Sequence, residues 1–134
     1  MQMNSLQTDL INKRAQLEQK QAEKQGYLDT AAQIEKIYQR MSEDKQIIKI
    51  HKANVRTFSE AEYSGFQGDL FRNKYEPKLL ELLSSYDEVI FNLDNNLDEL
   101  NLKIAAFENK AYNCDAAIGS LHSLINSLIQ QIEV

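Results

Sequence analysis

The side chains able to do chemistry here are two imidazoles, His51 and His122, one thiol, Cys114, and a set of scattered carboxylates. A metal centre or a hydrolytic site needs such groups at ligand spacing, converging on one face. His51 and His122 are isolated, and neither sits in a spaced cluster with Cys, Asp or Glu. Cys114 falls on an apolar repeat, which reads as a small buried hydrophobe rather than a nucleophile. The chain has no P-loop, no glycine-rich dinucleotide loop and no EF-hand loop. The expectation is a protein without catalytic residues, cofactor or metal, so function must lie in what its surfaces bind.

What positions those groups is a seven-residue apolar repeat running without a miss from Leu79 to the C-terminus. One series is Leu79, Tyr86, Leu93, Leu100, Phe107, Cys114, Leu121 and Leu128. The other is Leu83, Ile90, Leu97, Ile104, Ala111, Ile118, Ile125 and Ile132. Two such series offset by three and four form the seam of a long helix packed lengthwise on another. A weaker repeat precedes it: Met3, Leu10, Leu17, Ala31, Tyr38 in one series and Tyr27, Ile34, Met41, Ile48, Val55 in the other. Asn12 to Gly26 is its thinnest stretch, with Lys13, Lys20 and Lys24 where apolar residues belong; Ser42 to Lys45 is a second weak point.

Composition agrees with helices throughout. One proline, four glycines and no tryptophan among 134 residues leave few breaks, and no window shows alternating strands with turns between them. The formal charge of −5 and interleaved Lys, Arg, Asp and Glu argue against nucleic acid or an anionic membrane surface as ligand. No stretch approaches the ~20 apolar residues of a membrane span. The start, MQMNSLQTDL, lacks the basic and apolar regions of a secretory signal peptide. With a single cysteine, the expected location is the cytoplasm, with export by a route needing no such peptide left open.

The expected architecture is a single all-α domain spanning 1–134, a long antiparallel two-helix hairpin resembling a coiled coil. A first helix runs over about 4–58, capped by Asn4 or Ser5, and a second over about 69–132. The turn is placed at 59–68, where Gly65 and Gly68 give backbone freedom and Ser64 with Gln67 has capping-box spacing. Pro77 is expected to kink or interrupt the second helix, while the seam carries it through Asn95 and Asn96. With the turn centred near Tyr63 and Ser64, facing residues have numbers summing to about 127. Met41 then meets Tyr86, Tyr27 meets Leu100 and Leu10 meets Ala117, in a rod ~80–90 Å long at 1.5 Å per residue.

Two features exceed what a plain hairpin needs. The second helix widens its apolar stripe with Leu80, Leu82 and Val89, and again with Leu124 and Ile129, and no charged residue occurs from Ala116 to Ile132. A hairpin buries one stripe per helix, so a wide stripe asks for a further helical neighbour. The turn carries Phe66-Gln67-Gly68, followed by Leu70, Phe71 and Tyr75. Its glycine permits a tight reversal and its aromatics close the end.

On these residues the chain resembles the helical-hairpin proteins of Gram-positive type VII secretion, the WXG-type superfamily. Phe66-Gln67-Gly68 occupies the Trp-x-Gly place with an aromatic substitution, and Phe66, Gly68 and Phe71 form the turn signature. The segment FQGDLFRNKYEPKLLELLSSY with its long seam is most similar to the partner proteins of LXG toxins. The resemblance implies a non-enzymatic targeting or chaperone partner. Such a protein binds the long helical N-terminal domain of a cognate effector, alone or with a second small helical partner, and promotes its export. The partner surface would be Leu80, Leu82, Val89, Leu124 and Ile129. None of the six tyrosines has an acid four residues on, so the tail signal of secreted relatives is missing, and another subunit would have to supply it. The competing expectation is a self-associating coiled-coil scaffold or tether, homodimeric in isolation.

Overall fold

The computed structural model describes the backbone of residues 2–63 and 75–133 and the side chains of 4–58 and 75–133. Two helices account for it, α1 (Gln2–Tyr63) and α2 (Glu76–Glu133), and no strand occurs among the described residues. The fold is an all-α helical hairpin. It divides into two units: Met1–Ile34 with Leu102–Val134, and Glu35–Asn101.

The boundaries differ from expectation in instructive ways. Residues 59 to 63, expected in the turn, belong to α1; Glu60, Ala61 and Glu62 are good helix formers, and Gly65 comes only after them. Asn4 and Ser5 lie inside α1 rather than capping it, and the Thr8 hydroxyl donates to the Asn4 carbonyl at 2.9 Å. Pro77 is the second residue of α2, at the N-terminal end where a missing amide is tolerated, and α2 runs unbroken after it. The stretch before Tyr75 over which a kink was expected lies outside the described residues. The helix continues through Asn95 and Asn96, as the seam requires. Phe66, Gly68 and Phe71 lie outside the described residues.

Every seam position of α2 from Leu79 to Ile132 is buried or half-buried. In α1 the covered positions keep the same period, including Lys13, Lys20, Lys24, Lys45 and Lys52. The first unit holds most of the tightly covered side chains: Ala31, Ala111, Cys114, Leu121 and Ile125. There the Tyr27 and Phe107 rings lie 6.3 Å apart with a 36° tilt. The Lys110 ammonium sits 5.0 Å from the Phe107 ring centre and 5.8 Å from that of Tyr27. The second unit has Leu97 as its one buried hydrophobe among the described residues.

Cross-helix ion pairs correct the expected alignment. Lys24 meets Asp115 at 2.6 Å in the first unit; Lys45 meets Asp94 and Lys52 meets Asp87 in the second. Each pair has numbers summing to 139, not 127 (24 with 115, 45 with 94, 52 with 87). Tyr27 lies beside Lys110 and Phe107 rather than opposite Leu100. The physical reason is plain from the charges. A sum of 127 would set Lys24 against Lys103, Lys45 against Leu82 and Lys52 against Tyr75, leaving no lysine with an acid. Lys20 and Glu23 of the thin stretch border Cys114.

Pairs this exposed contribute about 0.2–1 kcal/mol each, so burial of the seam carries the stability. Leu97→Ala is therefore expected to cost about 2–4 kcal/mol in urea denaturation, whereas Phe91→Ser, on an exposed position, should change it by less than about 0.5 kcal/mol. At Gly26 and Gly119 an added methyl group would meet nothing within 4 Å. Gly26→Ala and Gly119→Ala should each raise stability by about 0.5–1 kcal/mol in the same assay.

Candidate interaction surface

Within the second unit, two adjoining clefts open on one flank of the seam. One is lined by Ile48, Leu82, Ser85, Tyr86 and Val89. The next is lined by His51, Asn54, Val55, Phe58, Leu79, Leu82 and Tyr86. Leu82 and Tyr86 are common to both, so the clefts form a continuous shallow groove. Its construction follows from the heptad. Ile48 and Val55 on α1, and Leu79 and Tyr86 on α2, are seam residues seen from the side. His51 and Phe58 are seven apart on α1, Leu82 and Val89 seven apart on α2, and each pair lies just outside the seam. No lining residue carries a formal charge with histidine neutral.

The structure divides the five expected partner residues. Leu82 and Val89 are each 43% exposed and lie together in the groove. Leu80, 60% exposed, takes the heptad position of Asp87 and Asp94, on the other side of the seam. Leu124 is 47% exposed, and it and Ile129 belong to the first unit. Ile129 is half-buried, so its surface is already partly used inside the protein. It shares a heptad position with Leu80, whereas Leu124 shares that of Leu82 and Val89. The turn residues Phe66, Gly68 and Phe71 fall outside the described residues.

The α1 side of the groove was absent from the expected surface. His51 and Phe58 are the residues that reading missed, and Phe58 is 59% exposed. Their signal was present in the sequence as a seven-residue step beside Val55. Ile37, Ile47 and Ile50 on α1 and Phe91 on α2 add further exposed apolar surface to this unit.

The first unit offers a different environment. Its cleft is bordered by Lys20, Glu23, Tyr27, Lys110, Asn113, Cys114 and Ala117. Lys20 donates to Glu23 at 3.0 Å, and that hydrogen bond, reinforced by the charge of Glu23, raises the Lys20 ammonium above the usual lysine value. The pairing favours the charged form, so it holds at neutral pH and is lost only as strong alkali removes the proton. Cys114 is a buried free thiol. Among the described residues no three His, Cys, Asp or Glu side chains group as metal ligands would, and no helix is long and apolar enough to cross a membrane. No protein-family model, curated protein or solved structure matches this chain.

Burial of Cys114 gives a direct check on the seam around it. A bulky aromatic disulfide reagent should react with the native thiol at least about tenfold more slowly than in denaturing urea. Equal rates would show that the seam opens freely at this point.

Proposed function

We propose that this protein is a non-enzymatic helical partner for a type VII secretion effector. It binds the long helical N-terminal domain of an LXG-type toxin in the cytoplasm and promotes that toxin's export. The observation that carries the reading is the uncharged groove of the second unit, where Leu82 and Val89 face His51 and Phe58 across the seam. An apolar groove between two antiparallel helices suits the apolar stripe of a third helix, read at i, i+3, i+4 and i+7. The turn sequence Phe66-Gln67-Gly68 and the hairpin topology support the choice of family.

Association would hide apolar surface on both proteins, which is the chaperone part of the role. It would also set the two helical proteins side by side, which is the targeting part. A neighbouring reading frame coding for a long helical domain fused to a toxin would supply the cognate effector.

The test is co-expression of the full chain with the helical N-terminal domain of that effector. The two should co-purify as a stable complex. Leu82→Asp with Val89→Asp should abolish co-purification while leaving far-ultraviolet circular dichroism unchanged, because both side chains are already substantially exposed. Undiminished binding by this double variant would refute the groove as the partner surface. A tight homodimer with no affinity for the effector domain, and with labels at Val134 close together, would favour the scaffold reading instead.

A further inference from the structure

An unbroken heptad repeat has a weakness: it looks the same after every slip of seven. The α2 seam is apolar at all sixteen positions from Leu79 to Ile132, so apolar packing alone accepts several alignments of α1. The lysines of α1 do not share that indifference. Lys24, Lys45 and Lys52 occupy seam positions yet find Asp115, Asp94 and Asp87 across the interface. Lys45 and Lys52 have side chains only 19% and 21% exposed, so their ammonium groups reach acids from within the seam.

We propose that these three lysine–aspartate pairs form a register key, selecting one antiparallel alignment from a seam whose apolar repeat would accept several. The alternatives can be written from the sequence. A slip of one heptad one way sets Lys24 against Glu108 and Lys45 against Asp87 but leaves Lys52 against Leu80. A slip the other way sets Lys24 against His122 and Lys45 against Asn101, and only Lys52 meets an acid, Asp94. The observed alignment alone gives all three lysines an aspartate. Lys20 takes no part in the selection because its acid, Glu23, is on its own helix and moves with it. A polar residue at a seam position is a known way to fix coiled-coil register at some expense of stability. The key is independent of the secretion reading, since it concerns the fold of the free protein.

The experiment uses the full chain with Cys114→Ala and spin labels at Gln39→Cys and Glu88→Cys, two exposed sites in the second unit. Pulsed electron resonance should give one distance population for this parent. Lys24→Leu, Lys45→Leu and Lys52→Leu together should keep helicity, leave the thermal midpoint no lower, and add populations displaced along the helix axis by about 10 Å per heptad. A single population at the parental distance would overturn the proposal. If the leucine variant aggregates, Lys→Asp at the same three positions provides the second route. Adding Asp87→Lys, Asp94→Lys and Asp115→Lys should then restore the single parental distance, and failure to restore it would equally overturn the key.

Discussion

The hairpin rests on an unequal seam, in which α2 is apolar at every heptad position while α1 carries lysine at five of its own. A lysine at such a position can lay its four-carbon stem along the opposing helix and send its ammonium to the rim. That geometry demands an acid at the rim, and Asp87, Asp94 and Asp115 stand there. No large side chain is fully buried among the described residues, and most of the closely covered ones belong to α2. Helices paired through one stripe have little interior, so each half-covered residue at the edge of that stripe counts toward the outer surface as well.

How far the sequence predicts this structure depends on which question is put to it. The α2 seam was legible residue by residue, because a seven-residue period that places sixteen apolar residues between Leu79 and Ile132 has few other solutions. Continuity through Asn95 and Asn96 followed from the same pattern. Alignment of the two helices was not legible from apolar residues, since the repeat is blind to slips. Lys24, Lys45 and Lys52 interrupt the apolar series of α1. Set beside the aspartates of α2, they were in fact the more informative residues about alignment. The groove was half legible. Leu82 and Val89 stood out as apolar residues beside the seam, but Leu80 and Ile129 sit at the opposite heptad position, and a count of extra apolar residues does not distinguish the two sides. His51 and Phe58 flank an α1 seam that is itself interrupted by lysines, so their seven-residue step does not stand out from it.

The two sides of the seam therefore differ in chemistry within the second unit. One side is occupied by Lys45 with Asp94 and Lys52 with Asp87. A helix docking there would have to displace or desolvate ion pairs, and a desolvated charge is expensive unless the newcomer re-pairs it. The other side presents Leu82, Val89, Phe58 and the edge of Tyr86, with Asn54, Ser85 and His51 between them. Covering that side removes apolar area from water, worth about 25 cal/mol per Å², without breaking an ion pair. In the first unit the comparable cleft is bordered by Lys20, Glu23 and Lys110, with Lys110 lying over two aromatic rings, so entry there disturbs charge and cation–π contacts together. The lysine–aspartate pairing thus does more than hold α1 against α2. By committing Lys45, Lys52, Asp87 and Asp94 to one side, it leaves the stretch of the opposite side around Leu82 and Val89 free of these ion pairs.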